Sequence, residues 1–536
     1  MRKVSLFEAQ IMPENVTNSQ HLIVGGGIAG LSAAVLLCRD AGVRGKDIRI
    51  YEQLGVAGGS LDGAGDSDTG YLVRGGRMFE EHFACTFDLL DSIPLTNDPA
   101  KSAKDDIFEF NRMVPGSSNC RLVRDGKPAE DRYDLTLSAQ DIVDLNRLLL
   151  HPETGLGAQR IDDWFQTAFF DSNFWLMWST MFSFQPWHSL VEMRRYLRRF
   201  IHLFPGFTRI AGILRTRYNQ HDSIIAPIQT WLHARGVRIE TDTCVTDATI
   251  EGTHQDRHVT SLTLDDDSTV EVGPDDSVYL TLGSMTDGSV LGSADRAPKL
   301  AEHVAGGWSL WRKLASRHEG FGKPEVFSSD TGKTGWNSFT VTMDGADFFE
   351  FMEDFTDNRT GTGGLVTFAD SGWTLSIVLF HQPHFRGQKP GTYTFWGYGL
   401  RGDRKGDFVK KPMWEATGLE IIEELCGHLH LSDKQRKWFE SAKIIPCRMP
   451  YITSQFMPRQ VGDRPDVRPH GASNFAVIGQ YCELPRDCVF TVEYSVRSAR
   501  TAVASLTGRA DPPPPVARTD LDPRVLIRAA RVLLGV

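Results

Sequence analysis

The chain has 536 residues, 41% hydrophobic and 24% charged, with a net charge of −10 and a pI near 5.9. This length predicts two or three lobes, the ordinary composition excludes long disorder, and the acidic balance disfavours a nucleic-acid surface. Eight scattered cysteines without a C-x-x-C pair exclude a disulfide framework and a zinc site, and point to free thiols in a reducing compartment.

The first twenty residues lack a continuous apolar stretch and a small-residue cleavage site, so a cytoplasmic protein is expected. "HLIV" then reads as a strand entering Gly25-x-Gly27-x-x-Gly30, followed by an Ala/Leu-rich helix to about Asp40, a stop at Gly42 and a second strand ending at Glu52. Glycines there allow a tight turn, close approach of the backbone to a pyrophosphate and close helix packing, while the terminal acid accepts from a ribose. The motif admits NAD or FAD. "VAGGSLDG" (56–63), with Gly59 and Ser60, favours FAD, as does the late strand and small-residue helix of 474–503, whose strand ends at Gly479. Segments 236–252 and 277–284, with Val245 and Gly283, read as strands returning to that lobe. The expected fold is α/β: a discontinuous Rossmann-like FAD-binding lobe (1–115, 220–300 and 470–510) and an interleaved α+β and helical substrate lobe (116–219 and 301–469).

Between Trp164 and Trp187 stand ten aromatic residues, which read either as a helical core or as the wall of a long apolar tunnel. "RRYLRR" (194–199) follows and reads as a solvated helix side more than as an anion site. At the other end, "ADPPPPVARTDLDP" (510–523) is a stiff linker and 524–536 a basic amphipathic helix. That helix either packs on the body or touches anionic lipid at the inner face of the cell membrane.

With these segments in view, the chain resembles the oleate hydratases, formerly called myosin-cross-reactive antigens. The likeness runs through "VGGGIAGLSAAVLL", "GGSLDG", "GYLVRGGR", "FSFQPWHSLVEMRRYLRRFIHLFP", "YNQHDSIIAPIQTWL", "GTGGLVTFADSGW", "HQPHF" and "MPYITSQFMPR". It implies FAD, most active as reduced FADH2, and addition of water across the cis double bond of a long-chain fatty acid, oleate giving 10-hydroxystearate. The fold alone also permits a redox flavoprotein of the desaturase or amine-oxidase type, or a non-catalytic lipid binder.

The resemblance makes Tyr196 the proton donor and Gln220 and His384 partners of the fatty-acid carboxylate. It places Arg74, Gly75, Gly76 and Arg77 in a loop beside the flavin. Where many relatives carry the water-activating glutamate, this chain has Met78, which lies against cofactor and substrate but cannot take a proton. Val378 and Phe380 stand where some relatives carry a threonine and an asparagine. If Met78 begins a helical turn, Glu81 shares its side and Glu80 points away, so Glu81 is the expected replacement and Glu80 the second choice.

Overall fold

The computed structural model describes residues 19–76, 78–300 and 306–534. Its organising element is a five-stranded parallel sheet, in the order Phe475–Ile478, Ser277–Thr281, His21–Val24, Ile48–Tyr51, Arg238–Glu240. His21 faces Ile48 on one side and Ser277 on the other, and the register runs unbroken to Val24. All four residues of His21–Val24 are buried, as expected of a short apolar run covered on both faces. Helix Ile28–Arg39 covers one face and packs against Val492–Thr507. Gly25 makes the strand-to-helix turn at φ +98, and a Cβ on Gly30 would lie 2.0 Å from the Gly25 carbonyl oxygen.

Between Arg238–Glu240 and Ser277–Thr281 the chain makes an antiparallel meander, Val245–Thr253, Asp256–Leu264 and Thr269–Glu271. Helix Gly307–Arg317 packs on its first strand, and Trp308 and Trp311 join the core of the parallel sheet. Residues 307–317 therefore sit with the dinucleotide lobe, outside the substrate-lobe segment in which 301–469 had placed them. Conversely, Val290–Leu291 pairs with Cys447 and Arg448 in the second large sheet, outside the expected 220–300 segment.

That second sheet has eight strands, ordered 290–291, 443–449, 336–344, 392–399, 375–379, 365–368, 122–124, 127–128. Helices Asp347–Thr356 and Gly418–His428 bury one apolar cluster with it. A separate cluster joins its Trp336, Trp396 and Tyr398 to Tyr71, Val73, Ile210 and Ile213. The "YLV" stretch is docked there by side chains: the backbone N–H groups of Tyr71 and Val73 donate to Thr342 Oγ1 (2.8 Å) and Thr340 Oγ1 (3.1 Å). One short segment thus ties the dinucleotide lobe to the large sheet.

The tail helix Pro523–Leu533 packs on Ile201–Arg209, burying Ala529 and Leu533 and leaving Leu526 and Ile527 exposed. Among the described residues no helix is long and apolar enough to cross a membrane.

Candidate functional site

A crevice of about 1220 Å³ opens at the carboxyl ends of the parallel strands, where open α/β sheets bind their ligands. Gly25, Gly27, Glu52, Gly59, Ser60, Arg74, Val245, Gly283 and Gly479 line it. Gly30 serves helix packing instead. Helix Ile28–Arg39 begins at Gly27 with no side-chain cap, so its first N–H groups are presented to the crevice. Glu52 accepts from the Gly26 N–H (2.7 Å) and the Leu54 N–H (2.8 Å). The "VAGGSLDG" loop lies on the turn through the Gly58 N–H, which donates to the Gly26 carbonyl at 2.9 Å. Thr281 Oγ1 is a buried polar atom on this wall without a hydrogen-bond partner. The donor set and orphaned hydroxyl fit a dinucleotide. Gln53, Thr281 and Asp287 also line the crevice and were missed from sequence, because no local motif marks them. Burial pushes the Asp287 carboxyl up to about 6.

Arg74 is committed within the protein: its guanidinium pairs with Asp62 at 2.6 Å and donates to the Gly59 carbonyl. It braces the loop, which leaves it less free for the phosphate or ring contact expected of it. Arg77 lies outside the described residues. Gly75, Gly76 and Met78 do not line the crevice; Gly76 and Met78 instead line two apolar cavities beyond it.

These cavities, of about 870 and 620 Å³, share Gly76, Met78, Met181 and Phe490. The larger is walled by Trp336, Trp396 and Tyr398 of the large sheet, with Phe110, Val378 and Phe380. Most of the ten aromatics between Trp164 and Trp187 are core: Phe169, Phe174, Trp175, Trp178 and Phe184 are fully buried in the cluster of the parallel sheet, and of the ten Phe182 reaches the smaller cavity.

The smaller cavity holds Glu80 and Tyr196. The expected helical turn at Met78 does not form. Phe79 makes an antiparallel bridge with Leu214, its N–H and carbonyl bonding at 2.9 and 2.8 Å. The bridge ends at Phe79, and a turn follows in which the Phe83 N–H donates to the Glu80 carbonyl at 3.0 Å. Phe79 and Glu80 are both 1% exposed and line the cavity, whereas Glu81 faces solvent. Of the two, Glu80 is the one that lines the cavity.

Glu80 Oε1 pairs with Arg199 Nη1 at 2.8 Å; Oε2 accepts from the His82 N–H and lies 2.8 Å from His82 Nδ1 and 3.4 Å from His202 Nε2. Burial pushes the carboxyl up, but the His202 contact, the Arg199 charge and the His82 donors outweigh it and hold it below its ordinary value. Ligand-type atoms of Glu80, His82 and His202 lie within 4.8 Å of one another, and Arg199 already supplies a cation there. Tyr196 stands on helix Leu190–Phe200, 2% exposed, and its hydroxyl donates to the Val489 carbonyl at 2.6 Å.

At the other end, the larger cavity brings Gln220 and His384 together. The join is made by Asn219, whose backbone N–H donates to the His384 carbonyl at 2.9 Å. Burial lowers the His384 imidazole to about 3, its ring stacks on Phe380 at 3.8 Å, and Nδ1 lacks a partner. Arg215, which sequence reading missed, supplies a cation on this wall. It donates to the carbonyls of Gly361 and Val114 and to Asn111, all neutral, and its Nε is buried without a partner. Burial lowers it to about 10, so it remains charged at neutral pH. Gly363, at φ +80, makes room: a Cβ there would lie 2.6 Å from Arg215 Cδ. The glycines of "GTGG" were the available signal.

The sequence and the fold were compared with known proteins. A family model described as the MCRA family matches residues 18–504. An oleate hydratase of Streptococcus pyogenes serotype M49 (strain NZ131) is 41% identical over 507 residues, covering 92% of this chain and 86% of that protein. A linoleate hydratase of Lactiplantibacillus plantarum is 32% identical over 564 residues, covering 96% and 98%. The solved structure of an oxidoreductase from Methanosarcina mazei overlays 90% of this chain and 98% of its own at 12% identity and a TM-score of 0.48.

Proposed function

The chain belongs to the MCRA family, and on that premise we propose that it hydrates the cis double bond of a long-chain unsaturated fatty acid, converting oleate to 10-hydroxystearate. Hydratase relatives covering nearly the whole chain support the reaction class. The observation that carries the site is a buried carboxylate, Glu80, and a buried phenol, Tyr196, lining one cavity whose neighbour, sharing Gly76, Met78, Met181 and Phe490 with it, has a cationic end.

In this reading the carboxylate of the fatty acid meets Arg215, Gln220 and His384, and its apolar chain runs along Trp396, Val378 and Phe380 toward Met78. Neutral His384 contributes a hydrogen bond; Arg215 contributes the charge. Tyr196 gives its hydroxyl proton to one alkene carbon. Glu80, ionised and held by Arg199 and His82, takes a proton from the water whose oxygen bonds to the other carbon. Tyrosine is a weak acid and water a weak nucleophile, so the two transfers must support each other. Glu80 then passes its proton toward half-exposed His82, and Tyr196 is reprotonated, so that one water is consumed and no electron is transferred.

FAD fits the crevice through the Gly25–Gly30 turn, Glu52, Gly59, Ser60, Val245, Gly283 and Gly479, with Thr281 as a further donor. When bound it supplies a flat wall and, reduced, negative charge to steady a developing cation. The tail helix offers Leu526 and Ile527 beside Arg524, Arg528 and Arg531, a face suited to an anionic membrane surface; unchanged vesicle binding after removal of 516–536 would refute that role.

Purified protein given oleate in oxygen-18 water should yield 10-hydroxystearate labelled in its hydroxyl. Absence of hydroxy acid with flavin present overturns the assignment.

A further inference from the structure

The basic run 194–199 is not a solvated helix side. Arg194, Arg195 and Arg199 are 7%, 5% and 3% exposed, and they open onto a separate cleft of about 840 Å³ on the side of their helix away from the substrate cavities. Six guanidiniums line it, those of Arg194, Arg195, Arg198, Arg199, Arg486 and Arg518. The carboxylates of its lining are Glu153 and Asp520.

Charge within this wall does not balance. Glu153 serves Arg195 at 2.6 Å and Arg194 only at 3.7 Å, and Asp520 is shared by Arg198 and Arg518. Behind the wall Glu80 pairs with Arg199 and Glu483 with Arg195, while Asp487, 3.8 Å from Arg199, is engaged with Arg497 at 2.8 Å. Arg486 makes no ion pair with a described residue, and Arg194 Nε is buried with no hydrogen-bond partner. Burial and the charges of Arg198 and Arg195 disfavour the Arg194 cation, with Glu153 and Asp520 only partly offsetting them. Such a concentration of like charge, in a protein of net charge −10, is stable only with a counter-charge.

We propose that this cleft is a binding site for a phosphate group of multiple negative charge. Guanidiniums recognise phosphate with paired, charge-assisted hydrogen bonds, and several converge here with unspent donors. The apolar lining is confined to Pro485, Val516 and Ala517, too little to hold an acyl chain, so the fatty acid itself does not fit. The tail segment is tied over the cleft by the Arg198–Asp520 pair and contributes Val516, Ala517, Arg518 and Asp520 to its lining, and Arg199 belongs both to the cleft and to the Glu80 pair. The phosphate comes either from free anion or from a phosphomonoester lipid head group whose chains stay outside.

Titration calorimetry of the full-length protein as purified, at constant ionic strength, tests this with inorganic phosphate and with dihexanoyl phosphatidic acid. Saturable binding of phosphate that weakens at least tenfold in Arg194→Gln and in the exposed variant Arg486→Gln supports a free-anion site. The same dependence seen only for the lipid supports a head-group site. No saturable binding of either probe, or binding unmoved by both substitutions, overturns the proposal. Arg486→Gln keeps the test valid should Arg194→Gln fail to fold, and hydration of oleate by Arg486→Gln should stay within twofold of wild type.

Discussion

Glu80→Gln removes one charge from the lining of the smaller cavity while keeping the shape of the side chain. Glu80 and Arg199 are 1% and 2% exposed in their side chains, so the substitution strands a buried guanidinium. The next carboxylate is Asp487, at 3.8 Å from Arg199 Nε, and it is already engaged with Arg497 at 2.8 Å. Stranding one member of a buried pair costs about 3–5 kcal/mol, and Asp487 keeps this case toward the lower end. Loss of a positioned base lowers turnover by about 10²–10⁴-fold. The two effects are separable: apparent melting temperature and flavin absorbance report folding, while kcat from gas chromatography of the hydroxy acid reports chemistry. Glu81→Gln is the matched control, because a solvent-facing side chain should change stability by no more than about 0.5 kcal/mol and leave kcat unchanged. If folded Glu80→Gln retains turnover within threefold of wild type, or Glu81→Gln loses it, Glu80 is not the base. The sign of the Glu80 shift adds a second check. Because its folded-state value is depressed, its stabilising contribution is present above the ordinary carboxylate value of about 4.3 and is lost as pH falls through the folded value. For the same reason, the acid limb of kcat/KM should fall below that range.

Further outcomes follow from the same geometry. Tyr196→Phe should cut kcat by about 10²-fold or more with KM unchanged, and costs about 1 kcal/mol for the bond to Val489; retained turnover would remove the assignment. Arg215→Gln should raise KM for oleate by roughly ten- to a hundredfold, the equivalent of one charge-assisted hydrogen bond of about 1.5–3 kcal/mol, while sparing kcat and narrowing the preference for oleate over its methyl ester. An unchanged KM would refute a carboxylate contact. With its imidazole lowered to about 3 by burial, His384 is neutral throughout the working range, so KM for oleate should be flat from pH 5.5 to 8; a rise through pH 6–7 would show a titrating histidine at the head group. Glu192 is fully buried, and although burial pushes it up, Arg464, Arg459 and Arg195 lower it from 4.5 to about 2. Its stabilisation of about 3 kcal/mol is present above pH 4.5 and lost as pH falls toward 2. In Glu192→Gln that part of the acid-unfolding slope should vanish.

The parallel sheet was readable because its signals are local: the turn at Gly25, the packing glycine Gly30 and the acid Glu52 all act within one strand–helix–strand unit. Gln220 and His384 line one cavity, but spacing along the chain does not show this, since their convergence depends on Asn219 reaching across to a distant segment. Facing is a different kind of information. The Glu81 preference assumed that spacing along the chain fixes direction, as in a helix, but at Phe79 direction is fixed by pairing with Leu214. Phe79 and Glu80 both face the cavity and the turn at 81–82 carries Glu81 outward, so a helical-periodicity argument there has no helix to rest on. The arginines of 194–199 failed to read for a related reason. In isolation four charges on one helix imply solvent, yet their partners Glu80, Glu153, Glu483 and Asp520 arrive from four other segments. Burial of like charge is decided by which carboxylates the fold delivers and how they are shared: Glu153 serves Arg194 and Arg195, Asp520 serves Arg198 and Arg518, and Glu483 serves Arg195 and Arg459.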